Sequence, residues 1–267
     1  MTEHPDGRTV CAALQRGLTL DPARPLHLCH APGPLTLAVV SIAWLGSLPE
    51  TARAALERRE LHPQEAAHAA TLWLLKRRLE WVAGRLATSR AVRAHQRRHL
   101  GHEPGPRRIK VSQIRSGPRA GKPTANAPVQ IGLSHSGDFA VAACGPRPIG
   151  VDLERTRPMP PPLLDLLATP DADEAAEAAE PVPAHPALRE MAPSLHWACK
   201  EAVLKRLGVG LRVDPREVTL TGWQADGRFS WRAGADLRQH EPDAEQAQRF
   251  AGWARDIDGY SLALVWK

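Results

Sequence analysis

The sequence of 267 residues contains no apolar run long enough to cross a membrane. A spanning helix needs about 20 consecutive apolar residues, whereas the best candidate, residues 35–45, has the length of a buried strand. Residues 1–8 are polar and carry both charge signs, unlike a secretory signal. We therefore expect a soluble cytoplasmic protein with no membrane partner.

Cysteine is scarce, and the four cysteines lie too far apart to form a CxxC pair. This spacing argues against a zinc knuckle or a redox site of that type. His27, Cys29 and His30 are close in sequence, and His95 and His99 share one face of a predicted helix. Neither group has an obvious further ligand, so we expect no metal at either.

Aromatic residues make up only 4% of the chain. Single-stranded nucleic acids are bound largely by stacking on aromatic side chains, and no RNP-like or zinc-finger pattern occurs. We expect no nucleic-acid partner, although the basic stretch at residues 77–98 keeps a nucleic-acid-binding protein as an alternative. The net charge of +6 favours anionic partners in general.

Two common catalytic motifs are absent. No GxSxG elbow occurs, and a serine and a histidine that are adjacent in sequence, such as Ser134 and His135, rarely form a nucleophile–base pair. Gly117, Gly121 and Lys122 do not form a phosphate-binding P-loop, because three residues rather than four separate the glycines and a proline follows the lysine. A Ser–His hydrolase and a P-loop enzyme are therefore excluded.

The sequence does contain alternating strand and helix patterns. Stretches rich in β-branched or other apolar residues predict strands at residues 35–45, 109–114, 131–137, 139–144, 149–154, 218–223, 228–231 and 260–266. Apolar residues at helical spacing predict helices over residues 50–98, with a break near Pro63, and over residues 194–207, ended by Gly208. The alternation indicates an α/β or α+β protein of two similar-sized lobes.

A pair of acidic residues lies on one of these strands. Asp152 and Glu154 occupy positions i and i+2, so their carboxylates project from the same face, while Val151 and Leu153 point into the core. Converging carboxylates repel each other unless a cation or a proton lies between them, and magnesium prefers oxygen ligands. The pair indicates a magnesium site, with a solvated strand end as the alternative.

The predicted helix at residues 194–207 carries a polar stripe. Trp197, Glu201 and Lys205 follow each other at i, i+4 and i+8 and therefore share one side. Glu201 can supply a third carboxylate, with Lys205 one turn further along. An ordinary Glu–Lys surface pair, which contributes roughly 0.2–0.5 kcal/mol, is the alternative.

His135 lies between two serines, Ser134 and Ser136, on a predicted strand. Its imidazole and nearby backbone N–H groups could bind a phosphate, or the segment could be a turn feature.

Taken together, the segments LSHS, IGVDLE and WACKEAVLKRLG resemble the 4′-phosphopantetheinyl transferase superfamily, with its GVDxE and WxxKEAxxK motifs. Lys122 and Pro123 match the GKP element that precedes the histidine segment in that family. The length and spacing are similar to the large, single-chain, Sfp-like type. The resemblance implies two lobes related by a pseudo-twofold axis, residues 1–147 and 148–267, in a monomer with coenzyme A bound between them.

The resemblance also implies a reaction. Phosphopantetheine would pass from coenzyme A to a serine of an acyl or peptidyl carrier protein, and 3′,5′-ADP would leave. The catalytic residues implied are Glu201, Asp152 and Lys205, and the magnesium ligands Asp152, Glu154 and Glu201. The residues implied to contact coenzyme A are Lys122, Ser134, His135, Lys200, Lys205, Arg78 and Arg85. A catalytically silent relative that binds a carrier protein or coenzyme A is the alternative.

Overall fold

The computed structural model describes residues 7–167, 186–241, 244 and 251–266. Strands in this part of the chain are β1 (Leu26–His30), β2 (Thr36–Ser41), β3 (Val111–Gln113), β4 (Pro123–Ala125), β5 (Gln130–Ser136), β6 (Phe139–Gly145), β7 (Gly150–Arg155), β8 (Val218–Trp223), β9 (Arg228–Ala233), β10 (Ala251–Ile257) and β11 (Tyr260–Trp266). The helices are α1 (Gly7–Gly17), α2 (Ile42–Ser47), α3 (Glu50–Glu60), α4 (Pro63–Thr71), α5 (Leu75–Leu100), α6 (Pro161–Asp165), α7 (Pro193–Leu207) and α8 (Ala235–His240).

Two antiparallel sheets form the framework. The first has the strand order β1-β2-β6-β5 and the second the order β7-β11-β10-β9-β8, while β3 and β4 form a separate two-stranded ribbon. The long helix α5 packs on β2 and β6, and α7 packs on β7 and β11. This mixed α/β architecture confirms the predicted fold class. The pseudo-twofold axis and the division between residues 147 and 148 stay predictions.

The two sheets share a core. Apolar side chains of β2 and β6, such as Leu37 and Phe139, belong to the same buried cluster as Val151 and Leu153 of β7 and Leu262 of β11. Separate clusters lie between α5 and the first sheet and between α7 and the second. The sheets are therefore joined by apolar packing as well as by the chain.

Two glycines allow the close approaches that bring β7 into place. A Cβ on Gly132 of β5 would lie 3.1 Å from the carbonyl oxygen of Ile149, which precedes β7. A Cβ on Gly150 would overlap the carbonyl oxygen of Ala202 in α7. Because neither glycine has a side chain, β7 can run beside the edge strand β5 and directly against α7.

The strand at residues 35–45 was predicted too long. The strand ends at Ser41, whose hydroxyl accepts a hydrogen bond from the Trp44 N–H at 2.9 Å and so caps α2. Helical periodicity over residues 50–98 was confirmed, but α3, α4 and α5 divide it at two breaks rather than one. The sequence analysis missed α1, α2, α8, β1, β4 and β10.

Several arginines of the basic stretch at residues 77–98 pair with acidic side chains of a neighbouring helix. Arg78 pairs with Glu57 at 2.6 Å, and Arg90 pairs with Glu60 at 2.6 Å. These acids come from α3, so several α5 arginines hold neighbouring helices together. No helix in the described ranges is long and apolar enough to span a membrane.

Candidate functional site

A cleft of about 660 Å³ lies where β5, β7, α5 and α7 meet. Ser134 and His135 of β5 and Asp152 and Glu154 of β7 line it. The α7 stripe completes this wall, since all three of its predicted members, Trp197, Glu201 and Lys205, line the same cleft. The shared face predicted for each pattern is thus confirmed, and the two patterns meet in one place.

Local geometry explains how the carboxylates and Lys205 converge. Val151 and Leu153 are fully buried on the opposite face of β7, which turns Asp152 and Glu154 toward the cleft. α7 ends at Gly208, whose φ of 83° is left-handed and whose N–H donates to the Leu204 carbonyl. The helix is therefore fixed at its end, one turn beyond Lys205.

Lys205 lies among the carboxylates. Its ammonium forms an ion pair with Asp152 and lies 3.7 Å from Glu201 Oε2. It also donates to Ser134 Oγ at 3.2 Å, and that hydroxyl donates to Asp152 Oδ1 at 2.8 Å. Ser134, Asp152 and Lys205 thus form one network in which Ser134 and Asp152 are buried and Lys205 is partly exposed, rather than the exposed Glu–Lys pair that was the alternative.

Ser136 holds the second carboxylate, that of Glu154. Its hydroxyl donates to Glu154 Oε2 at 3.3 Å and accepts a hydrogen bond from the Arg155 N–H at 3.0 Å. Ser134 and Ser136 therefore each orient one acidic residue of β7. The sequence analysis had named Ser134 as a contact to coenzyme A and Ser136 only as a neighbour of His135.

Burial and neighbouring charges shift the pKa values of the ionisable side chains in this network. Burial and the negative charge of Asp152 raise the pKa of Glu154 to about 7. Burial also raises the pKa of Glu201, against the opposing effect of Lys205. For Lys205, burial acts to lower the pKa, but Asp152 and Glu201 outweigh it and the pKa is raised. One lysine with a raised pKa therefore lies beside two glutamates, Glu154 and Glu201, whose pKa values are also raised.

Part of the chain that forms this site matches a known protein family. Residues 148–265 match the family model of the 4′-phosphopantetheinyl transferase superfamily. This part of the chain belongs to that superfamily. No curated protein matches the chain.

The match covers β7 and α7, so Asp152, Glu154, Glu201 and Lys205 all lie inside the phosphopantetheinyl transferase region. Membership supports a transferase activity. The cleft residues of α5 and β5, including His135, lie before the matched region and extend the site beyond it.

The predicted magnesium ligands, Asp152, Glu154 and Glu201, all line the same cleft. Within the described residues, no group of three His, Cys, Asp or Glu side chains is placed to hold a metal ion. Lys205 balances the negative charge of Asp152 and Glu201 directly. The donor chemistry still fits a hard cation, because Asp152 Oδ2 is buried and has no hydrogen-bond partner among the described residues. The role of Asp152, Glu154 and Glu201 as ligands stays a prediction.

Two of the predicted cations reach the cleft from outside the superfamily region. Lys122 is mostly buried, donates to the Arg206 carbonyl at 3.1 Å, and has a pKa lowered to about 8 by burial and by Arg119. Arg85 of α5 is half-buried at the cleft wall, where its guanidinium lies 4.7 Å from the centre of the Trp81 ring. The nearest acid is Glu65, at 3.7 Å.

Two other predicted cations do not line the cleft. Lys200 has no exposed surface and donates to the carbonyls of Leu166 and Pro215, both at 3.1 Å. Arg78 is engaged by Glu57, as described above. Their settings are those of structural cations, because their hydrogen bonds are satisfied within the fold.

One cleft residue had no signal in the sequence. Arg212 lines the cleft and donates to the carbonyls of Pro118, Ala120 and Gly208, so it ties the loop before Lys122 to the end of α7. An arginine in a loop after a helix has no distinguishing pattern. Its contacts join segments about 90 residues apart, which only the folded chain brings together.

Proposed function

We propose that the protein transfers the 4′-phosphopantetheine group of coenzyme A to a serine of an acyl or peptidyl carrier protein, with release of 3′,5′-ADP. The observation that carries this proposal is the network of Asp152, Glu201 and Lys205 in a cleft within a phosphopantetheinyl transferase region. We further propose that it is a cytoplasmic enzyme of the large, single-chain type, acting as a monomer with coenzyme A between residues 1–147 and 148–267.

Glu201 is the proposed general base. The carrier serine oxygen attacks the phosphorus that bears the pantetheine arm, the bond from that phosphorus to the bridging oxygen breaks, and the serine proton passes to Glu201. Burial raises the pKa of Glu201, which makes its carboxylate a stronger proton acceptor than an exposed glutamate. Lys205 lies within reach to balance the negative charge that develops on the leaving phosphate.

Basic side chains on the other walls of the cleft are proposed to bind the nucleotide phosphates. Lys122, Arg85 and His135 line the cleft, and Ser134 offers a hydroxyl beside Lys205. Arg78 and Lys200 are left out of this assignment because their hydrogen bonds are made within the fold. A bound magnesium ion would supply further positive charge at the phosphates, held by Asp152, Glu154 and Glu201.

A catalytically silent relative is the second candidate. It is favoured by one observation: the Lys205 ammonium already balances the charges of Asp152 and Glu201 within the described cleft. Such a protein would bind coenzyme A or a carrier protein without transferring the arm.

Intact-protein mass spectrometry separates the two candidates. An apo carrier protein is incubated with this protein, coenzyme A and magnesium, and we expect a gain of one phosphopantetheine mass. The gain should be lost with EDTA and with a carrier whose serine is replaced by alanine. Absence of any gain across fatty-acid, polyketide and peptide carriers, with retained coenzyme A binding, would establish the silent relative instead.

A further inference from the structure

An apolar patch is exposed between α4 and α5. Trp73 is 90% exposed, and the two following residues, Leu74 and Leu75, are 44% and 50% exposed. These three consecutive residues are half of the six large apolar residues that are exposed in the described ranges. Tryptophan is seldom left in water to this extent, and a contiguous exposed patch is typical of a binding surface.

Two cations follow the patch at positions where their charge does not stabilise the helix. Lys76 and Arg77 are exposed in the first turn of α5, where the helix dipole is positive, and no side chain caps this end. Lys76 has only a distant acidic neighbour, Glu80 at 3.9 Å. Residues that oppose local helix stability are expected at functional positions, and these two add a positive rim to the apolar centre.

From this combination we infer that residues 73–77 form a docking surface for an acidic helix of the carrier protein, separate from the cleft. An acidic helix with an apolar stripe would cover Trp73 and its two leucines while its carboxylates meet Lys76 and Arg77. Tryptophan and arginine are also the residue types that contribute most at interfaces. The inference rests on the proposed function for the identity of the partner.

The distance to the cleft suits a partner of carrier size. Arg85, which lines the cleft, follows Leu75 by ten residues of α5, a rise of about 15 Å. A folded domain of about 80 residues has a radius of gyration of about 12 Å. A single carrier domain can therefore contact residues 73–77 while its serine enters the cleft.

The other possible occupants fit less well. In a symmetric pair of copies, Lys76 and Arg77 would face one another, and like charges at an interface are unfavourable. A helix that lies on a membrane needs an exposed apolar face, but the apolar face of α5 is buried against the first sheet, for example at Val82 and Leu86. An acidic protein surface therefore fits the patch best.

The test uses the full chain with two variants and a matched control. Trp73→Ser removes the apolar centre, and Lys76→Glu with Arg77→Glu reverses the charge. Reversal places acidic residues at a helix N-terminus, which favours the helix, so lost binding cannot be attributed to unfolding. The control is Leu100→Ser, which alters a leucine that is 51% exposed at the opposite end of α5.

Two measurements are made with a recombinant apo acyl carrier protein. For turnover, we expect each patch variant to raise the KM for the carrier at least tenfold, while kcat and the KM for coenzyme A change less than twofold. For binding without turnover, a carrier with serine replaced by alanine is titrated in the absence of coenzyme A, and the Kd should rise by the same factor. Leu100→Ser should match the wild type in both.

Failure of the docking surface and failure of the proposed function would give different results. Transfer that proceeds with an unchanged carrier KM in both patch variants overturns the docking surface and leaves the proposed function intact. Binding of the alanine carrier that depends on Trp73, without any transfer, supports the surface and overturns the proposed function. Trp73-dependent binding to phosphatidylserine vesicles, or a Trp73-dependent dimer in light scattering, with carrier binding unchanged, assigns the patch to a lipid or to a second copy and overturns the inference.

Discussion

At the scale of single residues, Glu201 is the side chain on which the proposed chemistry depends most directly. Glu201→Gln keeps the shape of the side chain and removes its ability to take a proton. We expect transfer to fall about 10²–10⁴-fold, because Lys205 and Asp152 remain in place but the carrier serine keeps its proton. The measurement is the rate of carrier modification by mass spectrometry, with the thermal midpoint followed by circular dichroism.

The control for this substitution is Glu190→Gln, which makes the same chemical change at an exposed position shortly before α7. It should leave the rate and the thermal midpoint unchanged. Near-normal turnover in Glu201→Gln would remove Glu201 from the mechanism.

Another residue-scale effect concerns stability in acid. His95 is buried in α5 beside His99, with ring centres 4.6 Å apart, and its Nδ1 has no hydrogen-bond partner among the described residues. Burial, followed by the charges of His99, His30 and Arg98, lowers the pKa of His95 to about 4. Between pH 6.5 and pH 4 the unfolded state therefore binds more protons than the folded state, so this histidine lowers stability as pH falls.

We expect His95→Leu to reduce this loss of stability. Between pH 7 and pH 5 the wild type should lose on the order of 1–2 kcal/mol through His95, and the variant should not. The free energy of unfolding is measured by urea titration at the two pH values. His102→Leu, at an exposed histidine near the end of α5, should keep the wild-type pH dependence. An equal loss in His95→Leu would show that other groups cause it.

At the scale of secondary-structure elements, the contact of β7 with α7 depends on Gly150. An alanine there would place its Cβ on the Ala202 carbonyl oxygen. We expect Gly150→Ala to destabilise the protein by roughly 3 kcal/mol and to separate Asp152 from Lys205. Thermal unfolding measures the first effect and carrier modification the second.

Gly105→Ala is the matched comparison for Gly150→Ala. Gly105 has a φ of −59° and no neighbour closer than 3.9 Å to an added Cβ, so we expect a stability close to that of the wild type. Equal stability of the two variants would mean that β7 and α7 can move apart without cost.

The elements that the sequence predicted well are those whose pattern is local. The alternation in β7 and the polar stripe of α7 follow from the geometry of a strand and a helix, so the directions of Asp152, Glu154 and Glu201 could be predicted. The burial of Lys200 could not, because its two carbonyl partners come from segments outside α7. Nor could the ion pair of Lys205 with Asp152, which depends on how closely β7 and α7 pack.

Sequence composition was a poorer guide to the basic stretch of α5. A run of arginines is usually a solvated face, and only the structure places α3 acids such as Glu57 and Glu60 against Arg78 and Arg90. The same limit applies to α1 and β1, whose segment is rich in proline and arginine. Their burial against the shared core supplies the stability that their own sequence does not indicate.

At the scale of the whole molecule, the shared core predicts that the superfamily region does not fold alone. Residues 148–265 include Val151, Leu153 and Leu264, whose side chains are fully buried in the same cluster as Leu37 and Phe139 of the first sheet. Without residues 1–147, that apolar face of the second sheet and the edge of β7 beside β5 would be exposed to water.

We therefore expect the full chain to unfold in one cooperative transition, because loss of either sheet exposes the core of the other. Urea unfolding followed by tryptophan fluorescence and by far-UV circular dichroism should give coincident curves. A fragment of residues 148–267 should bind a dye specific for exposed apolar surface and show no cooperative transition. Two separated transitions in the full chain, or a cooperative fragment, would mean that the sheets are stable independently and that their shared core contributes little to holding the cleft together.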